Sequence, residues 1–186
     1  MRRIWRQWRP AVAGLLALTV LLGLVYTGVV TGIAQAVFPG RANGGLVTVQ
    51  LPDGTSRTVG AELIGQEFTA PRYLIGRPHG VTNLSPTSAE LAQLVHERVA
   101  WWHALDPTDT ASIPMDLVTG SGSGVDPHVS PAAAEYQVAR IAAARGMTPD
   151  AVRAVIARFT TGRLLGVMGE PTVNVLLVNL ALDGLI

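Results

Sequence analysis

At 186 residues the chain has room for one soluble domain with a real core beyond Gly40, and the lack of cysteine removes disulfides, thiol chemistry and zinc–thiolate sites. The net charge of +1 is unevenly spread: four arginines and no acid in the first nine residues, then ten arginines against thirteen Asp and Glu from Arg41 onward. A downstream part at −3 with no basic cluster argues against nucleic acid as a partner. All fourteen basic residues are arginine, which we read as compositional bias rather than function.

Ala11 to Val37 holds twenty-seven residues without a charge, inside an uncharged run from Pro10 to Gly40. As a helix it spans about 40 Å at 1.5 Å per residue, enough to cross a hydrocarbon core of roughly 30 Å. Arg2, Arg3, Arg6 and Arg9 precede it, so the positive-inside rule keeps the N-terminus cytoplasmic and sends everything after Val37 outside. Trp5 and Trp8 fall where interfacial aromatics belong. A cleaved signal peptide is the competing reading, with a small-x-small site at Ala34-Gln35-Ala36, but the apolar stretch is about twice the usual 7–15 residues. Twin-arginine export fits the Arg2-Arg3 context poorly. The expected layout is a cytoplasmic terminus over 1–9, a transmembrane helix over 10–37 and an extracytoplasmic domain over 38–186.

The helix has a patterned face. Thr19, Gly23, Thr27 and Thr31 recur every four residues, beside the GxxxG formed by Gly28 and Gly32. Small residues let another helix approach closely, where van der Waals packing replaces the missing hydrophobic drive in lipid. With no ionisable side chain, the helix is not expected to conduct ions by itself.

Phe38-Pro39-Gly40 is expected to break the helix. Leu46 to Leu51 alternates with period two, and Pro52-Asp-Gly-Thr55 turns it into Ser56 to Val59 as a hairpin. Gln66 to Pro78 reads as extended or turn, since Gly76, Pro78 and Gly80 forbid a long helix. Ser85-Pro86 predicts a helix start, with Leu91, Leu94, Val95, Val99 and Trp102 on one face to about His103. Met115 to Thr119 reads as a short strand. Ser130-Pro131 predicts a helix to Arg145, stopped by Gly146, and Thr148-Pro149-Asp150 predicts another with Val152, Val155, Ile156 and Phe159 inside and Gly162 closing it. Val173 to Leu180 reads as a strand, or a short helix, in which Asn174 and Asn179 must find partners if buried. The fold class is therefore α+β: one N-terminal transmembrane helix and one mixed α/β domain.

The densest group of reactive residues is the loop Ser121, Ser123, Asp126, His128 and Ser130. A Ser–His–Asp triad normally assembles from separate elements, and three partners within ten residues rarely reach that geometry. A membrane-anchored hydrolase or binding domain using Ser121–Ser130 is the alternative. Histidines at 79, 96, 103 and 128 offer no close ligand pair, so no metal is expected. Ser121, Ser123, Asp126 and His128 are the candidates for a nucleotide contact, though the loop lacks the Lys of a Walker A motif. The plainer expectation is a rigid loop whose glycines take positive φ. Gln66, Arg72, Arg77 and Asn83 form a second polar group, either satisfying loop backbone or facing a partner.

Taken together, VVTGIAQAVFPGRANGGL (Val29–Leu46), LIGQEFTAPRYLIGRP (Leu63–Pro78), NLSPTSAELAQLVHERV (Asn83–Val99), PMDLVTGSGSGVDPHVSPAAAEYQVARIAAARG (Pro114–Gly146) and GEPTVNVLLVNLALD (Gly169–Asp183) resemble the C subunit of the Kdp-type potassium-transporting ATPase. Three departures stand out: only His79 to Thr82 lie where that family carries a longer insertion, Tyr26-Thr27 stands where it has Tyr-Pro, and Leu177 replaces a Glu. The resemblance implies a non-catalytic subunit in a bacterial cell membrane, with a channel-like potassium-translocating subunit and a P-type ATPase subunit as partners. It implies no cofactor of the chain's own, ATP being engaged through the ATPase subunit, whose ATP affinity this subunit raises as a catalytic chaperone. An outer domain cannot meet cytoplasmic ATP, so such an effect is expected to be indirect.

Overall fold

The computed structural model describes residues 2–51 and 53–186. The side chains of residues 2–7, with the expected flank at Arg2, Arg3, Trp5 and Arg6, lie outside the described residues, as does Pro52 of the expected turn. The chain divides into two compact units, Met1–Gly45 and Leu46–Ile186.

The first unit is one long helix and a short one. Helix α1 (Arg2–Leu18) continues through a π-helical stretch, Thr19–Tyr26, into α2 (Thr27–Val37). From Trp8 to Val37 it is long and apolar enough to cross a membrane, and none of it is buried within the chain. The expected break falls at Phe38 (φ −144°, ψ 65°), but Pro39 then starts another turn, α3 (Pro39–Ala42). Proline at a first helical position has no amide to leave unpaired, so the sequence that ends one helix begins the next. Asn43 closes it, donating to Pro39 O and exchanging side-chain hydrogen bonds with Gln35.

The second unit is α+β. Strands β1 (Leu46–Gln50) and β2 (Ser56–Ala61) form the expected antiparallel hairpin, its turn fixed by Thr55 donating N–H and O–H to Asp53 Oδ1. A second sheet has the order β3 (His128–Val129), β5 (Thr172–Asn174), β4 (Thr160–Thr161), all antiparallel. Around it lie α4 (Ala89–Leu105), α5 (Pro131–Tyr136), α6 (Val138–Arg145), α7 (Pro149–Arg158) and α8 (Val175–Leu182). The main core gathers Leu74, Trp102, Leu117, Ile141, Val152, Val173 and Val178; a smaller one under the hairpin joins Val49 to Leu176 and Leu180.

Several expected boundaries move, each for a local reason. Ser130 and Thr148 do cap helices, their hydroxyls accepting from Ala133 and Ala151 N–H, and Gly146 ends α6 at φ 64°. Ser88, not Ser85, caps α4: its hydroxyl accepts from Leu91 N–H, while Ser85 accepts from Thr87 N–H in a turn. Met115–Leu117 is a 3₁₀ turn rather than a strand, because Trp102 Nε1 donates to Leu117 O and holds it against α4. The helix from Ser130 breaks at Gln137, whose side chain is drawn to Ile75. Helix α7 stops at Arg158, and Thr160-Thr161 joins the sheet before Gly162.

The largest change is at the C-terminus, where only Thr172–Asn174 is strand and α8 follows. The Asn174 side chain caps α8, accepting from Leu177 N–H while donating to Glu62 O. Helix α8 contributes Val175 and Val178 to the main core and Leu176 and Leu180 to the hairpin core. A helix buried on both sides reads as a continuous apolar run and loses the period that marks a surface helix.

The segment Pro71–Ile75, a turn at Pro71–Tyr73 running into Leu74 and Ile75, is held by side chains in place of neighbouring strands. Asn179, 1% exposed, accepts from Leu74 N–H at 2.8 Å and donates to Leu74 O at 2.9 Å. Gln137, fully buried, accepts from Ile75 N–H at 2.8 Å and donates to Ile75 O at 3.0 Å. Arg140 donates to Pro71 O, Tyr73 O and Gln137 Oε1, and its guanidinium lies over the Trp102 ring at 5.8 Å. Burial pulls the Arg140 pKa down to about 10, partly opposed by Asp106, so it stays charged at neutral pH. Arg145 donates to Arg72 O, Leu182 O and Asp183 Oδ1, tying the segment to the end of α8.

The Tyr136 hydroxyl is buried without a hydrogen-bond partner among the described residues, and burial first, then Asp109 and Asp106, raise its pKa above 10.0. Tyr136→Phe removes that hydroxyl and is expected to gain up to about 1 kcal/mol in urea unfolding. A tyrosine whose folded pKa is raised stabilises below its unfolded value, and that contribution fades as pH climbs through the folded value. The Phe variant should therefore lose part of the alkaline destabilisation above about pH 10; an unchanged slope would count against this role for Tyr136.

Candidate functional site

The Gly-Ser loop runs from Gly120 to the cap at Ser130, and its conformation follows from where its polar atoms point. Ser121 Oγ accepts from Gly124 N–H at 3.0 Å, Ser123 Oγ from Val125 N–H at 3.3 Å, and Asp126 Oδ1 from His128 N–H at 2.9 Å. The hydroxyls of Ser121 and Ser123 lie 3.3 Å apart. At the far end Asp116 accepts from Ser130 N–H at 2.7 Å and from Ser130 Oγ at 3.2 Å, so the cap is itself oriented by a carboxylate fourteen residues earlier.

The loop lies against two other irregular stretches of backbone, at Gly65 and Gly80. Gly80 N–H donates to Gly124 O at 2.9 Å, and Gly65 N–H to Val125 O at 2.7 Å. At both places the backbones approach as only glycine allows: a Cβ on Gly124, at φ 72°, would sit 2.8 Å from Gly80 C, and one on Gly65 2.8 Å from Asp126 O.

Arg77 and Arg98 brace the entry to the loop. Arg98 Nη1 donates to Val118 O at 2.8 Å, and Arg77 Nη2 makes longer bonds to Thr119 O and Gly120 O at 3.4 and 3.3 Å. A cavity of about 390 Å³ opens between Arg77, Asp116, Asp126, His128 and Glu170, and a second of about 250 Å³ lies beside Phe68, Arg98 and Trp101. Sequence reasoning did not single out Asp116 or Arg98. Neither belongs to a local motif, and each acts on a residue more than a dozen positions away.

His128 Nδ1 is 3.6 Å from Asp126 Oδ1, too long for a hydrogen bond, and among the described residues no hydrogen bond joins a serine hydroxyl to His128. The relay that a triad needs is thus not assembled here. Among the described residues no three His, Asp or Glu side chains converge as a metal-ligand group. The second polar group is also dispersed. Arg72 meets Asp183 at 3.2 Å and Arg77 braces the Gly-Ser loop, while Asn83 is exposed at φ 52°.

On the apolar helix, Thr19 and Gly23 lie in the π-helical stretch and Thr27, Gly28, Thr31 and Gly32 in α2. Thr27 Oγ1 donates to Leu22 O, five residues back, at 3.0 Å. A four-residue step advances a row by roughly +40° in an α-helix of 3.6 residues per turn. At about 4.4 residues per turn in an i→i+5 helix the same step turns it back by roughly 30°. Two π-helical steps carry the row from Thr19 to Thr27 back by roughly 60°, and the α-helical step to Thr31 returns about 40° of that, so Thr31 ends roughly 20–25° from Thr19. Among the glycines, Gly23, Gly28 and Gly32 have nothing within 4 Å of where a Cβ would stand.

The described residues thus give one helix long and apolar enough to cross a membrane and one α+β unit in which the braced loop lines the larger of these two cavities with Asp126, His128 and Ser130. The chain matches the family described as K+-transporting ATPase, c chain (KdpC), over residues 8–184. It is 56% identical to the potassium-transporting ATPase KdpC subunit of Listeria monocytogenes serotype 4a, with 100% of this chain and 99% of that protein covered. The KdpC subunits of Sorangium cellulosum and Herpetosiphon aurantiacus are 52% and 44% identical, over 95% of this chain and 96% and 95% of theirs. The chain belongs to the KdpC family of potassium-transporting ATPase subunits.

Proposed function

We propose that the chain is a non-catalytic accessory subunit of an ATP-driven potassium uptake complex. Its helix packs by Thr19, Gly23, Thr27, Gly28, Thr31 and Gly32 against a membrane partner, and its second unit lies outside the cell. There it assembles and stabilises a channel-like potassium-translocating subunit and an ATP-hydrolysing subunit and covers the potassium entrance. It raises the ATP affinity of the ATPase subunit indirectly, as a catalytic chaperone, with no cofactor of its own.

The observation that carries this reading is the inward commitment of the Gly-Ser loop. Ser121, Ser123 and Asp126 accept from the loop's own amides, and Gly124 and Gly65 are closed off by neighbouring backbone. Such a loop suits a rigid scaffold better than a phosphate cradle, whose amides point outward. A nucleotide contact through Ser121, Ser123, Asp126 and His128 would also need the domain on the cytoplasmic side.

Topology is the test. The chain has no cysteine, so Ser123→Cys gives one exposed thiol. Labelling of intact cells by an impermeant maleimide, with a cytoplasmic control site unlabelled, is the expected result. Labelling only after lysis, in a protein that labels fully when denatured, would reverse the orientation and restore direct nucleotide contact.

A further inference from the structure

The most exposed apolar feature of the second unit is a small hairpin between β4 and β5. Residues 161–170 are all exposed, and its tip carries Leu164 at 65%, Leu165 at 84%, Val167 at 77% and Met168 at 58% exposure. The hairpin is nonetheless built rigidly. Leu164 N–H donates to Met168 O at 2.8 Å and Met168 N–H to Leu164 O at 3.0 Å, while Gly166 and Val167 N–H close the turn onto Arg163 and Leu164 O. Arg163 and Glu170 pair across its root at 2.7 Å. Leu165 stands at φ 53°, a backbone conformation that a bulky side chain disfavours and glycine adopts freely. Leucine is thus held where the turn itself would prefer glycine, with most of its side chain in solvent.

We propose that this tip is an anchor that seats in an apolar recess on another subunit of the potassium-transporting ATPase. The inference rests on the reading of the chain as an accessory subunit.

Two observations select that occupant. The first is area: four side chains at these exposures present roughly 500 Å², well short of the ~800 Å² per partner of a stable protein pair. A second copy would not be held by such a patch alone. A partner already tethered to the chain by a membrane helix would be, because tethering makes the second contact intramolecular and raises its effective concentration. The second is charge: Arg163 is neutralised by Glu170, and the tip between them carries none. An anionic lipid surface would call for unpaired cations beside the apolar residues. A fixed, neutral, shaped projection matches a dry pocket.

The experiment uses the assembled complex in native membranes. Leu165→Gly is expected to leave the melting temperature of the isolated full chain unchanged or higher, since it relieves the positive φ. It is expected to reduce the fraction of chain retained by the complex under a dissociating detergent or salt challenge by about tenfold, the loss of one modest anchor. In parallel, a photoreactive benzoylphenylalanine in place of Val167 should yield one discrete adduct containing this chain and another subunit. Undiminished retention of the Leu165→Gly chain would overturn the proposal. So would an adduct only with lipid, an adduct with a second copy, or none at all. Failure of the wild-type chain to co-purify with any subunit is a separate outcome: it would sink the accessory-subunit reading and take the anchor with it.

Discussion

Asn179→Leu is expected to destabilise the second unit by about 3 kcal/mol, because it strands both the N–H and the C=O of Leu74 in the core. Leucine roughly preserves the volume, so the loss reports hydrogen bonding rather than a cavity. Each buried backbone group left without a partner costs about 1–3 kcal/mol, and two are stranded at once. With a urea slope of about 2 kcal/mol per M, the midpoint should fall by about 1.5 M. A fall under about 0.3 M would mean that water or a shifted backbone replaces the amide. Asn179→Asp separates the two bonds. Its carboxylate can accept from Leu74 N–H but cannot donate to Leu74 O, whereas the protonated acid can do both. Burial raises a carboxyl pKa, so this variant should be most stable in mild acid and lose stability as pH rises through its folded value.

Gly124→Val should cost about 3 kcal/mol or more. A β-branched residue at φ 72° carries a left-handed penalty of at least about 1–2 kcal/mol. Its Cβ would also stand 2.8 Å from Gly80 C and 2.9 Å from Val81 N, where only backbone can give way. Moving either loop breaks the Gly80 N–H to Gly124 O bond as well. Gly122, in the same loop, is the internal control: nothing lies within 4 Å of its Cβ position and its φ is not positive. Gly122→Ala should shift stability by less than about 0.5 kcal/mol. Equal effects at the two positions would argue against tight seating of the loop on Gly80.

The elements legible in the sequence were those with local causes. The apolar run, the Leu46–Gln50 alternation, the Ser130-Pro131 and Thr148-Pro149 caps and the Gly146 stop all act within a few residues. Elements decided by distant partners were not. Nothing near Gln137 announces that its side chain will leave the helix pattern for Ile75, sixty-two residues away. Nor does VNVLLVNL show that it must fill two cores at once, which is what turns all but its first two residues into helix. At the candidate site the Ser, Asp and His residues were visible as a dense group, but their mutual geometry depended on Gly80, Gly65 and Asp116 from elsewhere. The family resemblance came from extended stretches whose order survives without any one of them being a general motif, and the 8–184 match agrees with it.

The amide clamps on Leu74 and Ile75 also bear on what the protein avoids. An extended segment normally offers two rows of unpaired amides and carbonyls, onto which a foreign strand can add. Here Asn179 closes Leu74 and Gln137 closes Ile75, each with a side chain that can satisfy one residue and extend no further. Leu74 and Ile75 therefore present no ladder that another chain could continue. Closing these two residues in this way removes a seam for self-association from the core of the second unit.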